Sequence, residues 1–191
     1  HNRTHSFPTR RSSDLDDHAF IAQFLDGRDA AFSSADIGRL YWGKVKSLKR
    51  NVLYLKPRTV LMVDIAVPDT DDVDLTLLYQ TLALKDISVG DQVSKISKGG
   101  STLNILPLNP ATMDIKEVET PHYIKTLRNE KPLIKEGMIT ATSRSTGSKP
   151  LVMANILTTE NVDTTIKTEK HSGFISGSAS GQNFAFNTNP G

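Results

Sequence analysis

Few side chains in this sequence are placed to do chemistry by their spacing alone. Beyond the first fifteen residues the histidines are His18, His122 and His171. They lie far apart, and none sits in a local carboxylate pattern that would suggest a triad or a metal site. Asp69, Asp71, Asp72 and Asp74 make an acidic run. It lacks the spacing and the distal glutamate of a calcium loop, so a solvated turn is expected there. Lys44, Lys46, Lys49, Arg50 and Lys56 make a basic run. It could meet an anionic polysaccharide, but a solvated sheet face is the simpler expectation. There is no phosphate-binding glycine loop, no nucleophile elbow and no HExxH. With no cysteine in the chain, a disulfide framework, a thiolate zinc site and a cysteine nucleophile are excluded.

One pair is more informative. Arg50 and Asp64 each lie seven residues from Pro57. If the chain folds back through a three-residue turn at Pro57, the two face each other across antiparallel strands. Asp64 interrupts the otherwise apolar run Val60 to Val67. A lone carboxylate buried there would be costly, and an arginine fork can satisfy both its oxygens. The pair is therefore expected to be structural rather than catalytic. A four-residue turn would slip the register by one and set Asn51 opposite Asp64, and the sequence leaves both registers open.

The elements that must carry these residues read as strands. Thr59 to Val67 is apolar on both faces, as an interior strand covered on two sides would be. Val73 to Leu84 places Val73, Leu75, Leu77 and Tyr79 on one face. Turn signals then recur about every ten residues, around strands at Ser101–Leu108, Thr112–Val118, Leu133–Thr142 and Leu151–Thr159. Gly137 is placed at a bulge. The last thirty residues look like weak strands and loops, and only Asp16–Phe24 could be a short helix. The expected fold is all-β, an antiparallel β-sandwich of many short strands in one domain over residues 16–191.

The first fifteen residues have no period and no apolar face. His5 to Leu15 resembles a one-frame translation of a common sequencing adapter, so residues 1–15 are expected to be a non-native, disordered tail. The chain holds 23 Lys and Arg against 21 Asp and Glu. Setting aside Arg3, Arg10, Arg11 and Asp14 leaves 20 of each sign and no net charge. The pI of 8.8 owes much to that tail, and no global electrostatic argument for nucleic acid survives. No run of eighteen apolar residues is present, so no membrane-spanning helix is expected. On this reading the chain is truncated at its N-terminus and open to truncation at its C-terminus.

Arg50-Asn51-Val52-Leu53-Tyr54-Leu55-Lys56-Pro57, followed by Val60-Leu61-Met62-Val63-Asp64, resembles a hairpin in the C-terminal β-sandwich region of heparinase II/III-like polysaccharide lyases. Ser34-Ala35-Asp36 with Tyr41, Leu75 to Gln80, Gly100 to Pro107 and Leu151 to Leu157 resemble further pieces of that region in the same order. The resemblance covers about residues 20 to 187. It implies part of an enzyme that cleaves uronic-acid-containing glycans, heparan-type or alginate-type, by β-elimination. Its partners would be the acidic polysaccharide and an N-terminal (α/α) toroid that carries most of the catalytic machinery and is missing here. The chain alone should be inactive, with no catalytic residue and no cofactor of its own. The bacterial parent would be periplasmic or secreted. Family members tend to hold a metal, a structural zinc, in the sandwich through a His…Asp…His set. The resemblance makes Asp36 the counterpart of the aspartate and Gln80 that of the downstream histidine, where glutamine is a poor zinc ligand. Asp36 is thus either a metal ligand or a turn residue. The alternative function is a non-catalytic carbohydrate-binding or structural β-sandwich module. Such binders show aromatic platforms, and Trp42 beside Tyr41 does not make one, because adjacent strand residues face opposite sides.

Overall fold

A computed structural model describes residues 18–41, 43–81, 84–109, 112–120, 134–147, 149–162 and 166–189. The expectations for the tail, for Trp42 and for His122 fall outside these residues. Strands β3 (Val45–Leu55) and β4 (Thr59–Pro68) fold back on each other about Pro57. Leu55 pairs with Thr59 and Arg50 with Asp64, so the three-residue turn is the one formed. Asn51 stands opposite Val63, not Asp64.

The hairpin lies within an eight-stranded antiparallel sheet. The other six strands are β1 (Phe20–Asp26), β2 (Ala30–Asp36), β6 (Ile87–Ser88), β7 (Ser94–Lys98), β8 (Ser101–Pro107) and β11 (Leu151–Thr158). Their order is β1-β2-β3-β4-β11-β8-β7-β6. A three-stranded sheet joins β5 (Asp74–Thr81), β10 (Ile134–Arg144) and β9 (Thr112–Thr120), and another joins β12 (Lys167–His171), β13 (Phe174–Ala179) and β14 (Gln182–Asn187). Both faces of β4 are buried because each is covered by one small sheet. Leu61, Val63 and Ile65 pack with Ile175, Ala179 and Phe184 of the last three strands. Alternate residues point the other way. Met62 packs against Leu77, Ala141 and Met153, and Ala66 against Leu48, Leu151 and Leu75. The expected sandwich is present as three layers.

Hydroxyl groups tie the layers at one end. Thr59 Oγ1 and Thr158 Oγ1, from neighbouring central strands, are 2.8 Å apart. Ser180, in the β13–β14 turn, sets its Oγ 3.0 Å from Thr59 Oγ1 and 3.0 Å from Glu160 Oε1. Its backbone N–H donates to Glu160 Oε2.

Three local expectations are corrected. The end of Asp16–Phe24 is strand, not helix, since β1 begins at Phe20 and pairs with β2 across a register shift between Ile21 and Gln23. Gly137 is not at a bulge: β10 runs in continuous register with β9 through it, and its pairing with β5 begins there, at Thr81, without a shift. A Cβ there would come within 2.5 Å of Ile87 Cδ1 and 2.8 Å of Leu84 Cα, so the glycine allows that segment to approach. The C-terminal residues, read as weak strands and loops, form an ordered meander whose side chains complete the core.

Candidate functional site

The most informative concavity is a cleft of about 520 Å³ at the rim of the layer between the central sheet and the β5 sheet. Tyr41, Lys44, Asp72 and Asp74 are among its lining residues, together with Arg50 and Asp64. The β3–β4 register places that last pair on the cleft side of the hairpin. Arg50 Nε donates to Asp64 Oδ1 at 2.8 Å and Nη2 to Oδ2 at 2.7 Å, a bidentate fork. The Asp64 side chain is 1 % exposed and that of Arg50 39 %, so the carboxylate is sealed while the guanidinium reaches the cleft. The hydrogen bond to Asp64 raises the Arg50 pKa, burial opposes this, and the Asp64 charge adds to the rise.

Tyr79 of β5 lies close enough to feel both charges. Burial pushes its phenol well above the usual range, the Asp64 charge pushes it further, and Arg50 pulls it back. Its Oη is buried with no hydrogen-bond partner among the described residues. The same holds for both amide atoms of Asn155, which stands beside Met62 on the same layer. Neither residue was singled out by the sequence. Tyr79 reads as one more apolar position of a half-buried strand, and Asn155 is a single polar residue in the apolar run Leu151 to Leu157.

The remaining candidates do not gather here. Asp36 ends β2, and its Oδ1 accepts the backbone N–H of Gly38 at 3.0 Å, fixing the entry to the 3₁₀ turn Gly38–Tyr41. Gln80 belongs to β5, in another sheet. Among the described residues no three His, Asp or Glu side chains come together as a metal site. The basic run does not share one solvated face. Lys49 points away from Arg50. Lys56 Nζ donates to Asp26 Oδ1 and to Gly27 O, both at 2.7 Å. Of the histidines, His171 stacks on Phe174 with centroids 4.2 Å apart and its Nε2 lies 3.2 Å from Ser176 Oγ. His18 lies in exposed, irregular chain ahead of β1. What the cleft offers chemically is two cations, Arg50 and Lys44, the carboxylates of Asp71, Asp72 and Asp74, and the Tyr41 phenol.

The architecture is a layered antiparallel β-sandwich of a kind found in solved polysaccharide lyases. The chain is similar to the crystal structure of heparan sulfate lyase HepC from Pedobacter heparinus, with a TM-score of 0.69 and 11 % identity, over 91 % of this chain and 28 % of that one. A heparinase III gene product gives a TM-score of 0.65 at 10 % identity, over 88 % of this chain and 27 % of that one. A further heparinase III structure gives 0.62 at 10 % identity, over 90 % and 27 %. The chain thus spans little more than a quarter of the lyase structures it matches, and the likeness is one of fold. No protein-family model matches the chain, and no curated protein matches it.

Proposed function

We propose that this chain is the β-sandwich part of a polysaccharide lyase acting on uronic-acid-containing glycans, and that catalysis by the whole enzyme needs a helical domain beyond these residues. The observation that carries this is the fold match over 91 % of the chain to a heparan sulfate lyase of which it covers 28 %. The order of the hairpin and strand segments along the sequence supports it independently. β-Elimination needs a base at C5 of the uronic acid, a neutralised carboxylate and an acid for the leaving oxygen. Of these, the cleft supplies cations, Arg50 and Lys44, that could face a carboxylate. A non-catalytic glycan-binding module would be favoured by a row of exposed rings, but among the described residues Phe20 and Phe24 point to opposite faces of β1, and Tyr41 and Phe174 sit on two other elements.

The test is ultraviolet absorbance from unsaturated product, with heparan sulfate, alginate and chondroitin as substrates. The 191-residue chain should give none, and the longer reading frame that contains it should be active on one of them. Turnover by this chain that vanished on a substitution within residues 16–191 would overturn the reading. So would an upstream frame with no helical domain.

A further inference from the structure

The exposed edges of the three sheets differ in one respect. β6 is two residues long, β5 shows Asp74 with one exposed leucine, Leu78, the described part of β9 shows Asp114 and Lys116, β12 shows Lys167 and Glu169, and the uncharged β14 exposes only Asn183, Ala185 and Asn187. Short strands and charges are the usual protection of a sheet edge. β1 is seven residues long, exposed throughout, and among the described residues pairs on one side only, with β2. It carries Phe20, Ile21, Phe24 and Leu25, which are 49, 68, 65 and 58 % exposed. Its one charge, Asp26, is held by Lys56.

The apolar side chains occupy both faces of this strand. Phe20, Gln23 and Leu25 pair with Asp36, Ser34 and Phe32 and so share one face. Ile21 and Phe24 pair with Ala35 and Ser33 and share the other. A partner lying on one face of the sheet would cover only half of this set. A strand added to the edge would cover both. The shift at Ala22 decides which strand fits. In an unbroken strand, residues 20 and 25 point to opposite faces, as do 21 and 24. The bulge brings each of these pairs onto one face. An antiparallel copy related by a twofold axis between residues 22 and 23 then sets Phe20 against Leu25 and Ile21 against Phe24, twice each.

We propose that β1 is a self-association edge, through which two copies of this chain join their central sheets by antiparallel β1–β1 pairing. At about 200 Å² for a large apolar side chain, the four residues leave roughly 450 Å² exposed per copy. Two copies would bury roughly 900 Å², below the roughly 1,200–2,000 Å² of stable complexes. The dimer is therefore reversible and visible only at high protein concentration.

Sedimentation velocity of the 191-residue chain from about 1 to 500 µM should show monomer passing to dimer, consistent with a contact of that size. Phe24→Lys and, separately, Ile21→Lys should remain monomeric across that range with an unchanged circular dichroism spectrum. Because the chain has no cysteine, Gln23→Cys should form a disulfide-linked dimer under mild oxidation, and Lys95→Cys near the opposite edge should not. A chain that stays monomeric at every concentration would overturn the proposal and leave β1 to be covered by another part of a longer polypeptide. A dimer that survives both lysine variants, or fails to cross-link through position 23, would overturn it as well.

Discussion

Among the described residues, two arginine–aspartate forks of nearly equal geometry lie in opposite surroundings. Arg50 and Asp64 are direct cross-strand partners in β3 and β4, bonded at 2.8 and 2.7 Å. Arg144 and Asp74 are direct cross-strand partners in β10 and β5, bonded at 2.7 and 3.1 Å. The carboxylate of the first pair is 1 % exposed and that of the second 42 %. Distance alone would rank them as equals. What separates them is what each group does when its partner leaves. Asp74 and Arg144 would turn to water, whereas Asp64 has none to turn to. The first pair seals its carboxylate inside the layer between two sheets, and the second lies at the surface.

The sharpest way to break this contrast is Asp64→Ala. It strands the Arg50 charge at the edge of a closed layer and should cost about 3 kcal/mol, the lower end for a broken buried pair because Arg50 stays partly solvated. A denaturant midpoint moved by less than a third of that would place the pair with the surface forks. Next comes replacement of both partners, Arg50→Met with Asp64→Val. Removing the charges together leaves nothing unpaired, so stability should fall within about 1 kcal/mol of the starting protein. A double variant as damaged as the single one would show that the pair itself, and not the stranded charge, holds the layer. Tyr79→Phe removes a buried hydroxyl without a partner, and unfolding should be unchanged or harder by about 1 kcal/mol at neutral pH. The raised phenol pKa keeps Tyr79 neutral in the folded protein where the unfolded chain ionises, near pH 10. Stability is therefore lost as pH rises beyond that value, and the phenylalanine variant should lose less. The smallest effect is expected from Asp74→Ala, with a midpoint hardly moved and no difference left in molar salt. The Arg144 hydrogen bond holds the Asp74 pKa below its ordinary value of 3.8. Its small contribution is present above that pH and disappears as pH falls through the lowered value.

Much of the central hairpin was legible from residue spacing. Pro57 stands midway between Arg50 and Asp64, and the apolar run around Asp64 implies burial on both faces, so the pair could be read as one of two registers, between which spacing alone does not choose. Tyr79 was assigned to the inward face of its strand, where it lies. Its unpartnered hydroxyl was not visible, because nothing in a period-2 pattern says what an inward tyrosine meets. The fork at Asp74 and Arg144 was missed for a different reason. Seventy residues separate its members, and pairing β5 with β10 requires a topology that local patterns do not encode. The short segment ahead of Asp26 was open to a helical reading because the bulge at Ala22 destroys strict alternation. Strand and helix then look alike over so few residues. The last sheet was underrated because Gly173, Gly177 and Gly181 suggest loops. Yet a Cβ at Gly177 would collide with the Lys167 carbonyl and the Phe184 ring, so at least that glycine permits close packing.

The place of β4 between β3 and β11 has a consequence for how the chain must come into being. Its partner on one side is in the same hairpin, but Thr59 and Thr158 on the other side are 99 residues apart. On a ribosome adding about 5–20 residues per second, roughly 5–20 seconds separate the emergence of β4 from that of β11. Throughout that interval a strand apolar on both faces waits with one edge unpaired. The mature molecule closes this edge from Thr59 to Ala66, so the hazard belongs to synthesis rather than to the finished fold. Chaperone demand should accordingly be set by the wait for residues 151–158, and a chain stopped just short of them should aggregate more readily than one stopped just beyond.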